Sequence, residues 1–484
     1  MSEQITTIPD SVHILGIGGA GMSALARLLL ARGVAVSGSD AKDSRRLEAL
    51  RALGAACHVG HDPANVPEVG AVIVSTAITE SNVELMAARR RGIPVLHRSV
   101  ALALTMTGTK VFAVAGTHGK TTTTSMLTVI LQACDADPSF AIGSELNETG
   151  SNAHLGTGEA FVVEADESDG SFVGYHPQVA LVTSVQPDHL DFYGTAEAVE
   201  AGYRAFVDTL DPGGLLVACL DDPGARRLAD LARSQGRRVV GYGFSADAQV
   251  RLSDARLGGL GAEATIEVDD AAYPMRLSVP GEHNLLNAAG VLAVALFAVV
   301  ASEPHGAGRS PERVIGWLDL LSRFSGVRRR FERVGEAVGV VVVDDYAHNP
   351  AKVRAAVATG RGAVEAGGRL VVVFQPHLYS RTRDFAAEFG AALAPADVVV
   401  VTDVYAARED PLPGVTGALV ADAVRGVRAG VHVEFVPDLG DVVPALTGLV
   451  APGDLVLTVG AGDITSIGPA LLLALGARSI REGQ

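Results

Sequence analysis

Short apolar runs that end in glycine or polar residues alternate with helical patterns along nearly the whole chain. Val12–Leu15 leads into a glycine-rich turn, a helical pattern over Met22–Ala31 and a second strand over Val34–Asp40. Ala71–Ser75 and Ile93–Leu96 continue the series, and Val111–Ala115 enters another glycine turn followed by the apolar run Ser125–Leu131. Phe161–Glu164 and Val179–Ser184 come next. Later strands are expected at Val340–Asp345, Leu370–Phe374, Val398–Val401, Val431–Phe435 and Leu455–Val459. Strands that alternate with helices predict parallel sheets covered on both faces. Two stretches break the rhythm. Residues Ala246–Val279 alternate apolar and polar positions in short runs with glycines, which predicts a small antiparallel insert, and an apolar helix then runs to about Val300.

A chain of 484 residues exceeds one ordinary core, so roughly two to four domains are expected. The pattern divides at residues 1–107, 108–324 and 325–484, an α/β protein of three domains. The first and last are expected to be Rossmann-like, and the central one, which carries the insert, is expected to be an ATPase-like parallel sheet because its first strand runs into the phosphate-loop sequence Gly116-Thr-His-Gly-Lys-Thr121. A net charge of −16 disfavours nucleic acid and anionic membrane as partners. The first residues, Met1 to Ile5, show no signal segment, and no run approaches the ~18 apolar residues of a membrane span. The expected location is the cytoplasm, without membrane insertion. Cys57, Cys134 and Cys219 lie far apart and read as reduced thiols.

Chemistry concentrates at the strand ends. Gly16-x-Gly18-x-x-Gly21, with Asp40 about twenty positions on, is a pyrophosphate-binding pattern. Gly116-Thr117-His118-Gly119-Lys120-Thr121-Thr122 is a phosphate cradle two residues shorter than the standard nucleotide loop. Its glycines admit close backbone approach, the helix start attracts anions, Lys120 adds a point charge and Thr121 a hydroxyl for magnesium. Glu164 offers such an ion a hard oxygen ligand, in an acidic loop with Asp166, Glu167 and Asp169. Asn284 and Asn287 share a helix face. Arg328 sits in a basic knot, and Asp344, Asp345, Tyr346 and His348 follow one strand, while His377 and Arg381 follow the next. Gly460–Asp463 ends the last strand.

In this order the motifs resemble those of the Mur ligases, the amide-forming enzymes of bacterial cell-wall precursor synthesis. The resemblance rests on Gly16-x-Gly18-x-x-Gly21, G-T-H-G-K-T, V-E-A-D-E-S-D from Val163, D-H-L-D from Asp188, H-N-x-x-N from His283, the arginine near the joint and D-Y-A-H from Asp345. It implies ATP and Mg2+ as cofactors, with Lys120, Glu164, His189 and Arg328 catalytic and Thr121, Glu164 and His189 at the metal. ATP would be held by Gly116 to Thr122, Asn284, Asn287, Arg328 and Asp345. The words Gly-Ile-Gly-Gly-Ala-Gly-Met22 look like the UDP-binding loop of the family's alanine-adding branch. That implies UDP-N-acetylmuramate at Gly16, Gly18, Gly19, Ala20, Gly21, Met22 and Asp40, with Ser75, Thr76 and Arg98 as further contacts and L-alanine as second partner. Tyr346, His348, His377 and Arg381 are candidates for the amino acid or a carboxylate. Sister ligases carry a modified lysine after D-H-L-D. No lysine lies between Asp188 and Leu210 here, so either Glu200 supplies a carboxylate directly or that position is unused.

Other readings stay open on the sequence alone: a dehydrogenase binding NAD at the first glycine loop, a non-catalytic ATP sensor, and a recycling ligase that adds a tripeptide to the same UDP-sugar. Folylpolyglutamate synthetases share the central fold but lack the N-terminal domain. The chain is expected to be a monomer or homodimer.

Overall fold

A computed structural model describes residues 6–134, 136–146, 150–299, 310–407, 409–428 and 430–482. The first residues considered above and Val300 lie outside them. Strands β1 (Ser11–Leu15), β2 (Ala35–Asp40), β3 (Ala56–Val59), β4 (Ala71–Val74) and β5 (Val95–His97) form a sheet in the order β3-β2-β1-β4-β5. All of its pairings are parallel. The order turns back at β1, so the β1 and β4 ends open a crevice of the kind that takes ligands.

The central sheet contains β6 (Lys110–Ala115), β7 (Ser139–Ala141), β8 (Ala153–His154), β9 (Ala160–Glu164), β10 (Val179–Val182), β11 (Leu215–Cys219) and β12 (Arg238–Gly243). β6 lies between β10 and β9, parallel to both, so its carboxyl end is flanked by theirs. β13 (Val250–Gly258), β14 (Gly261–Val268) and β15 (Ala271–Leu277) extend the β12 edge. Two-residue turns can join only antiparallel strands. Asp269 and Asp270 make one such turn, both with positive φ. The expected insert is therefore present, joined to the central sheet through parallel β12–β13 pairing.

The third sheet runs β16-β17-β21-β18-β19-β20 from β16 (Glu332–Ala337), β17 (Val340–Asp345), β18 (Leu370–Phe374), β19 (Val398–Val401), β20 (His432–Phe435) and β21 (Leu455–Val459). Only β16 is antiparallel to its neighbour. Every residue from Leu370 to Phe374 is fully buried, as a parallel strand covered on both faces must be. Asn349 caps the next helix by accepting from the Lys352 N–H at 2.9 Å, and Pro350 occupies its first turn.

The chain divides into two compact units. One comprises Met1–Ala255, Glu263–Arg276 and His283–Phe324; the other comprises Arg256–Ala262, Leu277–Glu282 and Ser325–Gln484. One expectation needs correction. Glu282–Val299 forms 18 helical residues with a mean hydropathy of 1.4, long and apolar enough to cross a membrane. The strictly apolar run is shorter, because Glu282, His283, Asn284 and Asn287 occupy its start, and 67% of the stretch is buried inside the protein. It reads as a core helix. Cys57, Cys134 and Cys219 are free thiols, and Cys134 Sγ accepts from Trp317 Nε1 at 3.4 Å.

A candidate active site at the second glycine loop

β6 delivers the chain to Gly116, whose φ of 140° favours glycine and where a Cβ would collide with the Thr183 hydroxyl. Gly119, with φ 79°, begins the Lys120–Ala133 helix without a side-chain cap. Its first N–H groups therefore remain available to an anion. The loop is fixed to the end of β10: Thr117 N–H donates to Ser184 O at 3.0 Å, His118 N–H to Ser184 Oγ at 3.1 Å, and the Thr183 hydroxyl to His118 O at 2.5 Å. Gln186 N–H donates to Thr117 Oγ1 at 2.9 Å.

Lys120 lies back across this turn. Its Nζ donates to Gly116 O at 2.6 Å and to Glu167 Oε1 at 2.8 Å, and forms an ion pair with Glu167 Oε2 at 2.7 Å. Glu167 is 2% exposed. Burial pushes its carboxyl up from the ordinary range, and the Lys120 ammonium only partly opposes the shift. The Tyr193 hydroxyl donates to Glu167 O at 2.8 Å, and His189 Nε2 lies 3.9 Å from Glu167 Oε1. His189 itself has φ 52° and opens the short Leu190–Tyr193 helix. Sequence reasoning saw Glu167 only as one of four acids in a loop; its partner lies 47 positions away, and no local pattern marks it.

Beside Lys120, the Thr121 hydroxyl donates to Glu164 Oε1 at 2.9 Å, and the other Glu164 oxygen accepts from Gly143 N–H at 2.7 Å. A hydroxyl and a carboxylate touching at a helix start suit magnesium, which binds through one or two carboxylates, phosphates and water rather than an all-protein cage. No group of three or more His, Cys, Asp or Glu side chains that could hold a metal ion is found among the described residues. Glu200, on the Ala196–Asp208 helix, pairs with Arg204 of the same helix and with Arg227 of the Pro223–Ser234 helix, which occupies the carboxylate suggested as a lysine substitute.

Asn284 and Asn287 are buried, and Asn287 Nδ2 donates to Asn284 Oδ1 at 3.2 Å. A Cβ on Gly119 would lie 2.6 Å from Asn287 Oδ1, so this amide packs directly against the phosphate loop. His283, next to this pair, is held below the ordinary imidazole range by burial and by His118.

At the first glycine loop, Gly16 has φ 71°, and the N–H groups of Gly16 and Ile17 both donate to Ser39 O, at 2.8 and 3.0 Å. Gly18 N–H donates to Asp40 Oδ2 at 2.9 Å, so Asp40 shapes the loop as well as standing near it. Gly19 begins the Ala20–Ala31 helix, and the Arg98 guanidinium lies against Gly21, where a Cβ would displace it. Met22 is a correction: its side chain is buried in the hydrophobic core, so only its backbone is available to a ligand. Ser75 is half-buried and Thr76 exposed just beyond β4. Arg98 pairs with Asp166 at 3.6 Å, His97 with Asp169 at 3.5 Å, and Asn152 Nδ2 donates to Ala20 O at 2.8 Å. These contacts bring the first loop and the acidic loop of the second together.

In the second compact unit the paired aspartates diverge. Asp344 accepts from Arg329 Nε at 3.2 Å, Thr458 Oγ1 at 2.5 Å and Thr465 Oγ1 at 2.8 Å. Asp345 accepts from the N–H groups of Phe331 and Ala347 at 2.9 and 2.8 Å, and burial raises its carboxyl pKa. Arg329 stacks 4.9 Å over the Tyr346 ring, whereas Arg328 is exposed. Tyr346, His348, His377 and Arg381, separate in sequence, come together. The His348 ring lies 5.2 Å from Tyr346 and 5.8 Å from His377, and Arg381 Nη1 donates to His348 O at 3.2 Å. Burial pushes His348 down to about 3, which keeps the imidazole neutral. Tyr405, which the sequence did not single out, stacks 6.0 Å from His377.

Phosphoryl transfer needs little covalent help from a protein and much positioned charge, which is what the second loop supplies. The chain belongs to the Mur ligase family. It matches the Mur ligase family catalytic domain over residues 11–110, the Mur ligase middle domain over 114–295 and the glutamate ligase domain over 329–462. Among its relatives, the UDP-N-acetylmuramate–L-alanine ligase of Kineococcus radiotolerans is 56% identical over 475 residues, 96% of each chain. A crystal structure of the UDP-N-acetylmuramate-alanine ligase of Thermotoga maritima is 29% identical with a TM-score of 0.80, covering 97% of this chain and 99% of that one. A murein peptide ligase from Psychrobacter arcticus, 23% identical, shares the fold with a TM-score of 0.70 over 96% and 98%.

Proposed function

We propose that this enzyme joins L-alanine to the lactyl carboxylate of UDP-N-acetylmuramate at the expense of ATP, in the cytoplasmic stage of peptidoglycan precursor synthesis. The reading is carried by Lys120, held in a glycine turn by a buried carboxylate, with Thr121 and Glu164 in contact beside it. The lactyl carboxylate oxygen attacks the γ-phosphorus of ATP, ADP leaves, and an acyl phosphate forms. The amine of L-alanine then adds to the acyl carbon, and the tetrahedral intermediate collapses to the amide as inorganic phosphate departs.

Lys120 places positive charge where the transferred phosphoryl gathers negative charge, and Glu167 keeps that ammonium in place before nucleotide arrives. The uncapped helix start at Gly119 directs backbone N–H groups at the same oxygens. Thr121, Glu164 and His189 are the residues that would hold Mg2+, which when bound offsets triphosphate charge. Gly16 to Gly21 and Arg98 would take the diphosphate of the UDP-sugar. Tyr346, His348, His377 and Arg381 would receive L-alanine, with Arg381 a partner for its carboxylate. The test is ADP release by the purified chain. Turnover should require UDP-N-acetylmuramate and L-alanine together, and ADP release indifferent to both would refute the reading.

A further inference from the structure

Outside the nucleotide loop, the most fully enclosed charge described in the N-terminal domain is Glu84, at 0% exposure in the first turn of the Val83–Arg90 helix. Its carboxylate gathers three separate segments. Oε1 accepts from Asp62 N–H at 3.1 Å and Asn65 Nδ2 at 2.9 Å, while Oε2 takes the Ser39 hydroxyl and lies 3.6 Å from His13 Nε2 and 3.4 Å from His61 Nδ1. Every segment so gathered borders the residue pair that shapes the first glycine loop. Ser39 O receives the Gly16 and Ile17 N–H groups, Asp40 Oδ2 receives Gly18 N–H, and Asp40 O receives Gly60 N–H at 2.8 Å. Asn65 Nδ2, one of the Glu84 donors, also donates to Gly60 O at 3.2 Å.

We propose that Glu84 is a positioning residue for the UDP-sugar: through Ser39 it fixes the carbonyl that sets the curvature of the Gly16–Gly21 loop. The inference rests on the reading that this loop holds the diphosphate. A buried carboxylate with this many donors is the strongest hydrogen-bond anchor a small segment can be given. Nothing suggests direct contact with substrate, since its oxygens are fully engaged by protein donors. Its effect should therefore appear in binding of one substrate alone.

Steady-state kinetics on the full chain, varying each substrate in turn, tests this. Ser39→Ala and Glu84→Ala should each raise KM for UDP-N-acetylmuramate about tenfold, the worth of a lost charge-assisted hydrogen bond. KM for ATP and for L-alanine should stay within about twofold. The double variant should add little to either single change, because the two residues act as one unit. If Glu84→Ala does not fold, Glu84→Gln, which keeps one acceptor oxygen, takes its place with a smaller rise in the same constant. Gly18→Ala, whose Cβ would lie 2.9 Å from Asp40 Oδ2, is the control for the loop itself. If Gly18→Ala raises that KM and Ser39→Ala does not, Glu84 has no positioning role. If Gly18→Ala leaves it unchanged, the loop is not the diphosphate site and the proposal falls with that reading.

Discussion

Replacing Lys120 with alanine should do two separable things. The ammonium, 13% exposed, makes three short contacts, two of them to a carboxylate that is 2% exposed. Removing one partner of a buried pair costs about 3–5 kcal/mol because the other charge is stranded. Burial already raises the Glu167 pKa, which eases neutralisation of the stranded carboxyl and favours the lower end of that range. About 3 kcal/mol lowers the unfolding midpoint by roughly 6–12 °C in a domain of this size. Turnover should fall further than stability explains, by about 10²–10³-fold or more, as when a transition-state charge partner is lost. Calorimetry and ADP release on Lys120→Ala, Glu167→Gln and Lys120→Met/Glu167→Gln separate the effects. The double variant should regain most of the stability and none of the turnover. Near-normal ADP release by Lys120→Ala with both substrates present would refute the argument.

Gly116→Ala should abolish ATP-dependent turnover, since the added carbon meets Thr183 at a positive φ; tight nucleotide binding by equilibrium dialysis would contradict this. Glu84 yields a pH prediction: burial alone would raise its pKa, but the nearby His13 ring and hydrogen bonds from Ser39, Asn65 and Asp62 N–H outweigh it and hold the carboxyl at about 2 against an ordinary 4.5. A depressed pKa stabilises the fold above the unfolded value, so about 3 kcal/mol of stability present above pH 4.5 should drain away as pH falls toward 2. Denaturant midpoints should show that slope in the parent and lose it in Glu84→Gln; equal slopes would count against it. Nucleotide with UDP-N-acetylmuramate should compact the chain in solution scattering, by closing the C-terminal domain on ATP to exclude water from the acyl phosphate. An unchanged radius would contradict that.

The sequence was informative where function depends on local order. The strand, glycine turn and lysine at 111–120 could be read directly, because that chemistry needs those residue types in that spacing, and the alternation of strands and helices announced three α/β sheets. What could not be read were pairings between distant positions. Glu167 looks like its acidic neighbours until folding sets it against Lys120, and Glu84 is an unremarked glutamate in a helix until β1, β2 and the 61–65 turn surround it. The direction of the Met22 side chain was not legible either: a motif groups it with the glycines, but the helix turns it inward. Glu200, attractive as a spare carboxylate, is held by two arginines instead.

The amine that enters decides which ligase this is. Pocket size is a weak discriminator, because one methylene shifts binding by only about 1–3 kcal/mol, so glycine and L-serine should serve at reduced rates. The decisive measurement is ADP release with UDP-N-acetylmuramate and a single amine, comparing L-alanine, glycine, L-serine and the tripeptide L-alanyl-γ-D-glutamyl-diaminopimelate. L-alanine should give the highest kcat/KM, and the tripeptide no turnover above background. Strong turnover with the tripeptide and none with L-alanine would contradict this.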